Sequence, residues 1–209
     1  AGLPDAQSAV GKFYMQGIKV EKNEREGFKW YMKAAQQDFP IAQQMIGWCY
    51  IEGVGVSKNE HEGFNWLMKA AQQGLPHAQG LVGTCYLNGV GVSRNEIEGF
   101  NWAMKAAQQG EPGAQMLMGT CYFEGRGVQK NEHEGFNWYL KAAQQGEPRA
   151  QTSVGLCYLT GTVISKNERE GFNWLMRAVQ QGDYTAQYEI GICYLKGIGV
   201  EKNEREGFN

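Results

Sequence analysis

At 209 residues the chain is long enough for one or two ordinary domains, and its formal net charge of −2 supplies no positive field for nucleic acid or an anionic membrane surface. Its longest apolar runs are a few residues, far short of the roughly 20 that span a bilayer. The opening AGLPDAQ has neither the basic nor the apolar region of a signal peptide. Nucleic acid and membrane are therefore not expected partners.

The string NEHEGFNWLMKAAQQG, starting at Asn59, returns with small changes from Asn95, Asn131 and Asn167, a spacing of 36 residues. Units begin at Pro4, Pro40, Pro76, Pro112 and Pro148, with a partial sixth from Tyr184. Such a period means stacked supersecondary units, each unable to bury its apolar face alone. A single repeat array over residues 1–209 is expected.

The first unit departs from its siblings at Asp38, which stands where they close helix B with glycine and predicts a slightly altered junction. The second unit shows the pattern in full. Helix A is predicted from Pro40 to about Ile51, since proline in a first turn loses no hydrogen bond and Gly53 lies just past the end. GVGVSK is then a tight connector, too rich in glycine for a helix. Helix B opens at Asn59 as a capping box, with Glu62 returning the bond, and closes at Gly74. The third and fourth units repeat this scheme. In the fifth, Thr162-Val163-Ile164 replaces the middle glycine, as at Gly55 and Gly91, and predicts a differently shaped turn. The sixth stops at Asn209 inside helix B, leaving an uncapped apolar end expected to self-associate. The fold class is all-α, a solenoid of about five and a half helix-turn-helix repeats.

These landmarks resemble the Sel1-like repeat family, α/α solenoids related to tetratricopeptide repeats. The family pattern runs roughly A-x-x-x-L-G-x-x-Y-x-x-G-x-G-V-x-x-D-x-x-K-A-x-x-W-Y-x-K-A-A-x-x-G. The second unit matches it at Ala42, Ile46-Gly47, Tyr50, Gly53, Gly55-Val56, Asn59, Trp66, Lys69-Ala70-Ala71 and Gly74. The resemblance implies a right-handed superhelix, a bacterial protein, and a role as adaptor or scaffold for other proteins. One departure is systematic: Gly27, Gly63, Gly99, Gly135, Gly171 and Gly207 stand where the family usually has alanine. Each costs up to about 1 kcal/mol of helix propensity, and either close helix contact or local looseness would account for them.

Repetition separates scaffold positions from candidate site positions. Ala42, Ile46, Cys49, Tyr50 and Gly53 recur nearly unchanged and share one helical face, the expected core stripe. A second face of helix A varies from unit to unit. It reads Asp5-Ser8-Lys12, Ile41-Gln44-Trp48, His77-Gly80-Thr84, Gly113-Met116-Thr120, Arg149-Thr152-Leu156 and Thr185-Tyr188-Ile192. In related solenoids helix A lines the concave side. The candidate partner-binding residues are therefore Ile41, Gln44, Trp48, His77, Thr84, Met116, Thr120, Arg149, Leu156, Tyr188 and Ile192, since interfaces enrich exposed aromatics and Met. Trp48 is the sharpest case, because Trp30, Trp66, Trp102, Trp138 and Trp174 share one repeated helix B position and read as core.

Catalytic and metal chemistry find no constellation. Cys49, Cys85, Cys121, Cys157 and Cys193 recur every 36 residues with Phe13 in the matching place, which marks a packing site. Equivalent cysteines about 10 Å apart cannot bridge, so buried thiols are expected. One cysteine per repeat favours a reducing, cytoplasmic compartment, with a periplasmic or secreted place open if a signal peptide has been removed. His61-Glu62 and His133-Glu134 lack the second histidine of H-E-x-x-H. Neither phosphate loop nor nucleophile elbow occurs. No metal or cofactor is expected, and no enzyme. The leading expectation is a non-catalytic scaffold holding another protein in its groove. An immunity protein or inhibitor neutralising a toxin, and a purely structural spacer, are the alternatives.

Overall fold

The computed structural model describes residues 2–207, and among them it contains twelve α-helices and no strand. In chain order they are α1 (Pro4–Gln16), α2 (Glu24–Ala35), α3 (Pro40–Glu52), α4 (Glu60–Gln72), α5 (Pro76–Asn88), α6 (Glu96–Gln108), α7 (Pro112–Glu124), α8 (Glu132–Gln144), α9 (Pro148–Thr160), α10 (Glu168–Val179), α11 (Tyr184–Lys196) and α12 (Glu204–Gly207). Odd helices are helix A of each repeat and even ones helix B. The expected uncapped end at Asn209 lies outside the described residues. By packing, the helices form two compact units, one reaching to Gln109 and the other starting at Gly110. Within each unit an even helix packs on the odd helix before it and, less extensively, on the one after it.

Helix ends follow the predicted signals with one correction. Gly53 closes α3 at φ 75, its N–H donating to the Cys49 carbonyl at 2.8 Å. Asn59 caps α4, Oδ1 accepting from the Glu62 N–H at 3.1 Å. The return half of the capping box is not made. The Asn59 N–H donates instead to the Tyr50 carbonyl at 2.8 Å, and the Glu62 carboxylate accepts from Trp66 Nε1 at 3.0 Å. The connector brings the end of helix A back to the start of helix B, so a carbonyl there outcompetes a mobile carboxylate.

The repeated helix B glycines are explained by close helix contact. A Cβ on Gly63 would stand 2.7 Å from the Gly47 carbonyl oxygen, and one on Gly47 would stand 2.9 Å from that of Gly63. The same crossing recurs at Gly11 with Gly27, Gly83 with Gly99, Gly119 with Gly135 and Gly155 with Gly171. Alanine's extra propensity therefore loses to backbone overlap.

Two repeated contacts join neighbouring repeats inside each unit. One is edge-to-face: Phe28 on Tyr50 at 5.4 Å, Phe64 on Tyr86 at 5.2 Å, Phe136 on Tyr158 at 5.9 Å and Phe172 on Tyr194 at 5.5 Å. The other is a glutamine ladder. Gln43, buried, accepts from Gln73 Nε2 at 2.7 Å and donates to the Ala35 carbonyl of the preceding repeat at 3.4 Å. Gln151 does the same between Gln181 and Ala143.

At the connectors, Gly55 takes φ 70 and approaches so closely that a Cβ would lie 2.3 Å from the Glu24 carbonyl oxygen. Val163, its counterpart in the fifth repeat, avoids the left-handed region and packs into the cluster around Val154 and Trp174, giving the differently shaped turn. Asp38, in contrast, keeps the left-handed conformation of its glycine siblings at φ 57, and its Oδ1 accepts from Gln43 Nε2 at 3.2 Å. That junction is preserved rather than altered.

Candidate partner-binding surface

Helix A presents a sealed face and a variable one. Ala42, Ile46 and Cys49 of α3 are wholly buried. All five cysteines are buried thiols, and burial, with Glu24 adding to it, pushes Cys49 up to about 12. These thiols are inert packing groups at neutral pH.

On the variable face, Ile41 is 50% exposed, Trp48 40% and Tyr188 69%, with His77 and Arg149 also exposed. Gln44, Thr84, Met116, Thr120, Leu156 and Ile192 are half-buried. Part of the stripe thus doubles as packing: Met116 lies against the apolar cluster of Val154 and Phe136, and the Thr84 hydroxyl donates to the Gly80 carbonyl at 3.1 Å. Trp48 differs from the repeated tryptophans as expected, yet those are not uniformly core. Trp138 and Trp174 are buried and Trp30, Trp66 and Trp102 half-buried, and each has a lysine or arginine over its ring, Lys69 Nζ lying 4.0 Å from the Trp66 centroid. A lysine at i+3 reaches that ring, and its stem covers the apolar surface.

Two cavities gather stripe residues. One, of about 180 Å³, is lined by Met116, Arg149, Thr152, Leu156, Asp183 and Thr185 among others. Its Thr152 hydroxyl donates to Asp183 Oδ1 at 3.0 Å, and Asp183 also caps α11 by accepting from the Ala186 N–H at 2.8 Å. The other, of about 430 Å³, lies between α1 and α3 and includes Asp5, Ser8, Lys12, Tyr31, Phe39 and Ile41. Gln44, Trp48, His77, Thr84, Thr120, Tyr188 and Ile192 line neither. Inspection of helix A alone missed Tyr31 and Phe39. The signal was variation within helix B, where the Tyr31 position becomes Leu67, Ala103, Tyr139 and Leu175. A larger cleft, about 770 Å³, lies between the start of α2 and the connector at Gly53 to Ser57. No described group of three His, Cys, Asp or Glu residues could hold a metal ion, and no described helix is long and apolar enough to cross a membrane.

Helix pairs repeating every 36 residues, with one constant face and one variable face, define an α/α repeat protein of the solenoid class. The model of the Sel1 repeat matches residues 4–39, 40–75, 76–111, 112–147, 148–183 and 185–209, and the chain belongs to that family. It is similar to a Sel1 repeat protein of Oxalobacter formigenes, with 34% identity and a TM-score of 0.92 over 98% of this chain and 84% of that one. A protective antigen of uropathogenic Escherichia coli strains, displaying the same repeat fold, is 32% identical with a TM-score of 0.84; the match covers 99% of this chain but 44% of that one, so the chain spans less than half of that protein. An immunity protein of Pseudomonas aeruginosa shares the fold at 18% identity and a TM-score of 0.68, over 100% of this chain and 80% of that one. Among curated proteins none matches the chain. Sel1 repeat proteins are typically protein-interaction scaffolds.

Proposed function

We propose that the chain is a non-catalytic scaffold that holds a partner protein along the variable face of its odd-numbered helices. The observation that supports this reading is the contrast within single helices: in α3, Ala42, Ile46 and Cys49 are sealed, while Ile41 and Trp48 stand open and differ from their counterparts in every other repeat. Exposed aromatic and branched side chains on a rigid helix lose little conformational freedom on binding, which suits them as anchors. Neutralisation of a toxin or enzyme is one form of this reading, carried only by fold likeness to the Pseudomonas protein.

The test compares proteins retained from lysate by the native chain with those retained by a Trp48→Ala, Tyr188→Ala variant. Both residues are substantially exposed, so the variant melts within a few degrees of the native chain. Loss of one or more retained proteins is expected. Identical sets from both chains would leave a structural spacer as the better account.

A further inference from the structure

Equivalent positions in the first, fourth and fifth repeats are finished differently. Tyr31 and Tyr139 hold one helix B position, and Lys12 and Thr120 one helix A position. In the fourth repeat the Thr120 hydroxyl lies 3.2 Å from Tyr139 Oη, so the buried phenol has its partner. Ser8 and Thr152 also correspond, and the Thr152 hydroxyl donates to Asp183 Oδ1 at 3.0 Å and to the Pro148 carbonyl at 3.1 Å. In the first repeat Lys12 replaces that threonine and Phe39 replaces that aspartate. Neither replacement supplies an acceptor.

As a result, no described residue hydrogen-bonds the hydroxyl of Ser8 or Tyr31, and none pairs with the Lys12 ammonium. Yet Ser8 is only 8% exposed and Tyr31 4%. Their hydroxyl oxygens are not sealed off: each keeps some accessible surface, and both residues line the same cavity of about 430 Å³. Burial pushes the Tyr31 phenol up to about 12, with Cys49 adding to it, so it stays a neutral donor. Two hydroxyl donors and a lysine lining one cavity, with Ser8 and Lys12 an i, i+4 pair on α1, suit an anionic oxygen acceptor. Phe39, Ile41 and Met45 make the rest of the wall apolar. Asp5, two turns along α1 from Lys12, adds a negative charge that disfavours a run of anions and leaves room for one.

We propose that this cavity receives the carboxylate of a single Asp or Glu side chain on a partner segment. Ser8 and Tyr31 donate hydrogen bonds to it, Lys12 pairs with it, and an adjoining apolar side chain packs on Phe39, Ile41 and Met45. The assignment deepens the scaffold reading and rests on it.

The probe is a displayed library of random short peptides, selected on the intact chain. Enriched sequences are expected to carry a lone Asp or Glu beside Leu, Met or Phe. A synthetic peptide from the selection should lose about tenfold in affinity when its acid becomes the amide, or when the protein carries Lys12→Ala, as for a hydrogen bond to a charged group. Tyr31→Phe and Ser8→Ala should each weaken it several-fold at unchanged melting temperature. Lys12→Glu should turn the selection towards Lys and Arg. Selected peptides without an acid, or peptides bound equally by the Lys12→Glu chain, overturn the assignment. If such peptides still depend on Trp48 or Tyr188, the scaffold reading survives it. An empty selection overturns the assignment alone, whereas peptides indifferent to every variable position remove both.

Discussion

The cavity of the first repeat and that of the fifth are built at equivalent positions of the repeat and differ in their side chains. In the fifth repeat Asp183 answers Thr152, and the cavity at Arg149 and Leu156 holds about 180 Å³; in the fourth, outside that cavity, Thr120 answers Tyr139. In the first, Lys12 and Phe39 stand at the answering positions, two hydroxyls are left over, and the cavity holds about 430 Å³. Both keep the glycine crossing and the glutamine rung, Gln37 to Gln7 in one and Gln181 to Gln151 in the other, at 2.7 and 2.9 Å. Contacts that hold helix to helix are the same in both, whereas polar groups on the variable face find a partner inside the chain in one and not in the other.

The largest expected effect tests what the two regions share. Gly27→Ala would place a Cβ 2.8 Å from Met15 Cγ and 3.0 Å from the Gly11 carbonyl oxygen, and Gly171→Ala one 2.6 Å from Leu159 Cδ2 and 2.9 Å from the Gly155 carbonyl oxygen. Each should destabilise by about 2–3 kcal/mol as overpacking, although propensity alone predicts a gain of about 1 kcal/mol. Urea unfolding of the two variants should show similar losses. A gain in either region would mean that its helices can separate at no cost.

Next in size is the hydroxyl that only one region satisfies. Thr152→Val removes a donor from a carboxylate and should cost about 1.5 kcal/mol, whereas Ser8→Ala removes a hydroxyl with no partner in the chain and should cost almost nothing. Equal losses would show that Ser8 is bonded within the protein.

The repeat, the helix limits and the core stripe were legible because each depends on local chemistry that recurs: a proline opening the helix, an asparagine cap, a glycine stop, and apolar spacing of three and four. The helix A stripe was legible as variation, but its exposure was not, because a half-buried Met116 and an open Ile41 read alike until neighbouring helices are placed. Tyr31 escaped because it lies on the other helix, and variation there was not weighed as a site signal. The capping box at Asn59 was over-read for a related reason: the Tyr50 carbonyl that takes its N–H is nine positions earlier and arrives only through the fold of the connector. Likewise the helix B glycines left two explanations open in sequence, since closeness between helices is a property of pairs. The second glutamine of each QQ pair had no legible role, since its partner is a glutamine 30 residues away.

The smallest effect is the most discriminating, since it sets two tyrosines against each other. Tyr139→Phe deletes a hydroxyl bonded to Thr120 and should cost about 1 kcal/mol at neutral pH. Tyr31→Phe deletes one with no partner in the chain and should leave unfolding at neutral pH unchanged. Alkali then separates native Tyr31 from its variant with a definite sign. Because the folded pKa of Tyr31 is raised from 10.0 to about 12, its stabilising share is whole below pH 10.0 and is lost as pH climbs through about 12. Cys49, raised from 9.0 to about 12, begins the same loss earlier in both chains. Denaturant unfolding along this alkaline series should therefore find Tyr31→Phe equal to the native chain near neutrality and more stable than it above pH 10.0. A variant already weaker at neutral pH would mean that the Tyr31 hydroxyl has a partner inside the chain, as that of Tyr139 has in Thr120.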